Sequence, residues 1–165
     1  MTPVEFRRHL HRHPELSFRE TESARFIAEA LREAGIPCRP IAGTGVLAKI
    51  EGRGDLRRAV VLRADIDALP IREQSGAAWS SENDGVMHAC GHDCHISMLL
   101  TAAMIVNEIR DRLKGTIVFA FQPAEELGLG ARAMIEEGAL EGVDACFGMH
   151  VWSDYPAGTV ALRKG

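Results

Sequence analysis

The chain has 165 residues, enough for one domain with its own core, and 46% hydrophobic with 25% charged residues is the balance of a globular protein. A net charge of −4, with acids and bases interspersed, offers no basic face for nucleic acid. There is no charged-then-apolar leader at the N-terminus and no run of about 18 apolar residues, so the expectation is a cytoplasmic chain with neither membrane nor nucleic-acid partners.

In chain order, residues 3–12 are predicted as a short helix. A second helix is predicted over residues 18–34, because Ala24, Ile27, Ala28, Leu31 and Ala34 recur at helical spacing. Ser17 and Glu20 have capping-box spacing at its start, and Gly35 and Pro37 stop it. Gly45–Ile50 partly alternates. Ala59–Leu62 is a continuous apolar run, as in a strand buried on both faces. Residues 52–58 read as a solvated hairpin turn and 71–87 as a surface loop. Residues 95–110 are apolar nearly all round, which predicts a central buried helix. Thr116–Phe121 is a further buried strand, Gly130–Glu137 a short helix ended by Gly138, and Val143–Met149 a third core strand. A last strand is predicted from Gly158 to Arg163. Strands alternating with helices predict an α/β domain, a three-layer sandwich around a mostly parallel sheet.

The four cysteines are Cys38, Cys90, Cys94 and Cys146. A chain that is neither short nor cysteine-dense is expected to keep them reduced. Cys38 and Cys146 read as buried small hydrophobes.

The segment His88-Ala-Cys-Gly-His-Asp-Cys-His95 holds three imidazoles, two thiols and a carboxylate in eight residues. Those are ligand types for zinc and similar ions. Other ligand-type side chains follow the ends of the predicted core strands: Asp65 and Asp67, Glu125 and Glu126, and His150. Open α/β sheets bind ligands at the carboxyl ends of their strands, so these segments converge on one rim. Cys90 and His92 can meet one ion from an irregular loop, with Gly91 allowing the tight backbone. The adjacent Glu125 and Glu126 point apart, so one can bind metal while the other acts as a base. A structural zinc held by Cys90, His92, Cys94 and His95 is a competing reading, but their spacing is cramped for it.

The same cluster, with Gln122-Pro-Ala-Glu-Glu126, Leu62-Arg-Ala-Asp-Ile-Asp-Ala-Leu-Pro70 and Leu10-His-Arg-His-Pro-Glu-Leu16, resembles the signature segments of the N-acyl-amino-acid amidohydrolases. These include hippurate hydrolases and plant auxin-conjugate hydrolases, within peptidase family M20. The resemblance runs over essentially the whole chain. It implies a zinc-peptidase-like catalytic domain with two divalent ions (Zn, Mn, Co or Ni) that cleaves the amide of an N-acyl amino acid or dipeptide-like substrate. Cys90, His92, Glu126 and His150 match metal ligands, Glu125 matches the general base, and Asp67 matches an acid behind the metal site that orients a ligand. His88, Asp93, His95, His11 and His13 match motif positions without an assigned role.

Family members have two domains and form homodimers. Residues 1–165 correspond to the N-terminal part of the catalytic domain, without the lid and dimerisation domain or the C-terminal part. An alternative is therefore a metal-binding fragment without catalytic competence; another is a metal-dependent aminopeptidase of the same clan.

Overall fold

The computed structural model describes residues 1–54 and 56–162. The first helix, α1 (Pro3–Arg12), opens with a reciprocal capping box: the Glu5 amide donates to Thr2 Oγ1 and the Thr2 amide to Glu5 Oε2, at 3.3 and 2.7 Å. The second, α2 (Thr21–Glu33), has none, contrary to the expectation for Ser17 and Glu20. Glu20 occupies the cap position, but its fully buried carboxylate turns inward and accepts from Thr44 Oγ1 at 2.5 Å and the Ala124 amide at 2.8 Å. Ser17 Oγ donates to Asp67 Oδ2 at 2.6 Å. Tertiary partners have claimed both side chains.

The strands are β1 (Cys38–Ile41), β2 (Gly45–Glu51), β3 (Ala59–Asp65), β4 (Thr116–Gln122) and β5 (Ala145–Gly148). Two further helices are α3 (His92–Glu108) and α4 (Gly130–Glu136). The sheet order is β1-β2-β4-β3-β5. The pairs β3/β4 and β3/β5 are parallel, whereas β1/β2 and β2/β4 are antiparallel. The sheet is thus mixed, its parallel half being the one next to the metal-type residues. The strands β2 and β3 are not hairpin partners, since β4 lies between them, so the hairpin expected at residues 52–58 is not formed; Asp55 within that span lies outside the described residues.

Side chains alternate across the pleat. On one face Val46, Ala48, Ile50, Phe119 and Phe121 pack against Phe6 and Leu10 of α1, Ile27 and Leu31 of α2, and Ile96 and Leu100 of α3. On the other, Val61, Val118 and Ala120 pack against Met134 of α4. This makes the three layers.

Three further expectations need correction. The predicted central helix begins earlier, at His92, and its second half is not buried all round: Ile105 is half exposed. β5 is an outermost strand, not a core strand, and Phe147 and Cys146 are exposed. Residues 158–162 form no strand, Val160 and Leu162 being exposed; Arg163 lies outside the described residues. A strand needs a neighbour for its amides and carbonyls, and none lies alongside this segment among the described residues. All four cysteines are free thiols, with Cys38 half-buried.

Candidate metal centre

β3 and β4 run parallel and end in register at Asp65 and Gln122. Past these ends lie Asp67 and the 123–129 turn with Glu125 and Glu126. β5 ends at Gly148, two residues before His150, and α3 starts at His92. Gly91 caps α3 in the left-handed region at φ +84°, which turns the chain sharply between Cys90 and His92. Glu125 and Glu126 sit in the turn before α4 rather than in its first turn, so helix-dipole stabilisation does not account for them.

His92 is the hub. It is fully buried, and its Nδ1–H donates to the Asp67 carbonyl oxygen at 2.8 Å. That bond leaves a lone pair on Nε2, which has no hydrogen-bond partner. Nε2 lies 3.7 Å from Glu126 Oε1, 3.7 Å from Glu125 Oε2 and 3.7 Å from Asp65 Oδ1. Glu126 Oε1 is likewise buried without a partner. Cys90 Sγ stands 3.3 Å from His150 Nε2. His150 Nδ1 donates to the Val151 carbonyl at 2.5 Å, so its Nε2 also carries the lone pair. Donors around one ion at about 2.0–2.3 Å stand roughly 3.3–3.8 Å apart. Two sets with this character, Cys90/His92/His150 and His92/Glu125/Glu126, share His92.

Charge agrees with geometry. Burial pulls the His92 imidazole down, but Asp67, Asp65 and Glu126 outweigh it and leave its pKa raised. Burial, then Glu126 and Glu125, push the Cys90 thiol up to about 11. Both shifts favour positive charge at the ligand atoms, whether a proton or a cation supplies it. Glu126 is raised by burial and by Glu125, against the opposing pull of His92. Burial would raise Asp67, but the adjacent His92 ring, 3.4 Å from Oδ1, and hydrogen bonds from Ser17 and the turn amides at Glu125 and Glu126 hold it at about 2. Asp67 therefore stays ionised and fixes both the His92 ring and the Glu126 backbone, whose amide donates to Oδ2 at 3.0 Å.

All six residues singled out from the sequence meet here: Cys90, His92, Glu125, Glu126, His150 and Asp67. Asp65, His95 and His92 form a third close set, but its atoms are engaged. Asp65 Oδ1 accepts from His95 Nδ1 at 2.6 Å and Oδ2 from Arg63 at 2.8 Å, while His95 Nε2 accepts the Val151 amide at 2.9 Å. Those bonds also exclude His95 from a Cys90/His92/Cys94/His95 zinc, and Cys94 lies beside Arg7 and Asp93. His88 is buried, and burial pushes it down to about 4, so it is neutral. His11 bridges Asp93 and Glu73 at 2.8 and 3.2 Å, away from the hub, and His13 faces Glu82 at 3.8 Å. Asp65, Ser17 and Glu20 carry supporting roles that sequence reasoning did not assign. Only Asp65, two residues before Asp67 at a strand end, gave a signal.

Residues 61–165 match the profile of Peptidase family M20/M25/M40. The chain is 51% identical over 163 residues to an N-acetyl-L-cysteine deacetylase of Bacillus subtilis, covering 98% of this chain and 39% of that protein. It is 44% identical over 164 residues to an N-acyl-L-amino acid amidohydrolase of Geobacillus stearothermophilus, covering 98% and 44%. Among solved structures, a Bacillus subtilis protein described as a dinuclear metal binding peptidase from the M20 family superposes with a TM-score of 0.96 at 48% identity, covering 99% of this chain and 46% of that one. The chain spans about two fifths of the length of the curated relatives it matches.

Proposed function

Because the chain belongs to Peptidase family M20/M25/M40, we propose that it forms the metal-binding part of a hydrolase that cleaves the amide bond of N-acyl amino acids or dipeptide-like substrates. The observation that carries this reading is the buried His92 Nε2, unpartnered and ringed by carboxylate oxygens at 3.7 Å, beside the Cys90–His150 pair. In this reading Cys90, His92, Glu126 and His150 hold two divalent ions, with Zn, Mn, Co and Ni the candidates. Bound there, such ions lower the pKa of water and polarise a carbonyl.

The chain's own residues supply the proton handling and the orientation. Glu125 has the more exposed of the two glutamate side chains, 40% against 21%, and can face solvent and substrate together. It removes the proton from the attacking water and returns it to the leaving amine. Asp67 is a positioning acid: its carbonyl orients His92 and its carboxylate holds the turn carrying Glu126. Residues 1–165 are proposed to be the N-terminal portion of the catalytic domain, with a lid and dimerisation domain and the rest of the catalytic domain supplied by sequence outside them. A homodimer and a cytoplasmic location belong to the same proposal. Among the described residues, no helix is long and apolar enough to cross a membrane.

The test is Glu125→Gln in the polypeptide as its gene encodes it, assayed with an N-acetyl amino acid, a hippurate-type amide and a free-amine dipeptide. Turnover is expected to fall by about 10²–10⁴-fold with metal content unchanged. Undiminished turnover refutes the role of Glu125. Activity confined to the free-amine substrate favours an aminopeptidase, and bound metal without turnover in the parent protein favours a non-catalytic metal-binding role.

A further inference from the structure

Among the described residues, the segment that places His150 has few anchors. β5 ends at Gly148, and most side chains from Phe147 to Leu162 are exposed. Among the described residues, two hydrogen bonds tie residues 149–162 to the rest of the chain. One is the Cys90–His150 contact itself; in the other the Val151 amide donates to His95 Nε2 at 2.9 Å. His95 is in turn held by a relay: its Nδ1 lies 2.6 Å from Asp65 Oδ1, Asp65 Oδ2 accepts from the half-buried Arg63 at 2.8 Å, and Arg63 Nε donates to Gln122 Oε1 at 2.8 Å. Both His95 and Asp65 are buried. A backbone N–H can only donate, so His95 Nε2 is the acceptor and its proton sits on Nδ1, facing the carboxylate. One tautomer satisfies both contacts. A second contact seats the same residue: a Cβ on Gly91 would fall 2.5 Å from Val151 Cγ2, so the bare glycine between Cys90 and His92 makes room for the Val151 side chain.

We infer that His95 is a positioning residue that aims His150 at the metal centre by holding the Val151 amide. It is not a ligand, since both ring nitrogens are already engaged. The Arg63–Asp65–His95 relay thus extends the strand ends of β3 and β4 to the segment after β5. Outer partners of this kind set metal affinity through the ligand they orient. The inference rests on the proposed reading of His150 as a ligand.

The two claims separate in one titration, with Co(II) as the only probe and a chromophoric chelator as competitor, on the polypeptide as encoded. The thiolate–cobalt absorption reports Cys90 without any assay of turnover. If the parent protein binds no Co(II) through a thiolate, the metal-centre reading fails first. If it does, His95→Asn keeps a donor near Asp65 but withdraws the acceptor from Val151, and affinity is expected to fall about 10–100-fold. His95→Gln reaches the Nε2 position with an amide oxygen and is expected to stay within about threefold of the parent. Val151→Pro deletes the donor while leaving the His95–Asp65 pair intact and should match His95→Asn. Combining Val151→Pro with His95→Asn should add little. Parent-like affinity in Val151→Pro, or equal losses in His95→Gln and His95→Asn, overturns the inference. An unfolded His95→Asn leaves the decision to Val151→Pro.

Discussion

Glu20→Ala should destabilise the protein by about 3 kcal/mol, through one buried amide and the packing around it. In the native fold the Glu20 carboxylate receives Thr44 Oγ1 and the Ala124 amide. Truncation removes both acceptors, with unequal consequences. Thr44 is half-buried, and its hydroxyl can turn to water. Ala124 is fully buried, so its N–H loses its partner, at about 1–3 kcal/mol. The lost methylene adds about 1 kcal/mol. Ala124 also sits at φ +47°, a left-handed conformation disfavoured for alanine, so this bond holds a strained turn immediately before Glu125. Glu20→Gln keeps an oxygen for Ala124 and should cost about 1 kcal/mol, the difference between a charged and a neutral acceptor. With a urea slope of about 2 kcal/mol/M, the unfolding midpoint should drop by about 1.5 M in the alanine variant and about 0.5 M in the glutamine variant. A shift below about 0.25 M for Glu20→Ala, or equal shifts for both, refutes the claim that the inward carboxylate holds the turn.

The His11 clamp should be pH-dependent. Both ring nitrogens face carboxylates, and the hydrogen bond to Asp93 leads the effects that raise its pKa above the ordinary value, with burial opposing and Glu73 assisting. A raised folded-state pKa means a contribution fully present below about pH 6.5 and lost as pH rises through the folded value; urea midpoints from pH 6 to 9 should fall in the parent and fall less steeply in His11→Gln, where the raised His92 alone remains. Gly130→Ala places a Cβ 1.6 Å from the Pro123 carbonyl oxygen, so the 123–130 turn must shift. About 2 kcal/mol of stability and a measurable loss of metal affinity are expected, by urea titration and chelator competition.

The sequence was most legible where a pattern is local. Pro3–Arg12 is helical as expected, and the runs at Ala59 and Thr116 are strands. The rim placing Asp67, the glutamate pair and His150 beside Cys90 and His92 follows from the strand-end rule, because parallel β3 and β4 end in register. What escaped depended on tertiary choice. Ser17 and Glu20 have cap spacing, but Asp67, Thr44 and Ala124, distant in sequence, claim them instead. β1 is four residues with two exposed, too short to show a period. β5 has the composition of a core strand, yet it lies at the sheet margin with Phe147 exposed, and composition cannot report strand order. Asp65 and His95 look like ligands by residue type; only their hydrogen bonds to Arg63, to each other and to Val151 show that their donor atoms are committed elsewhere.

The central claim is that Cys90 and His92 anchor divalent ions at this rim. Elemental analysis of the purified polypeptide, after dialysis against metal-free buffer, tests it most directly. The account predicts about two equivalents of divalent metal on the two-ion chemistry of such sites, reduced in Cys90→Ser and more severely in His92→Ala, with the fold retained by circular dichroism. Metal content below one equivalent in the parent protein, or unchanged content in His92→Ala, contradicts it.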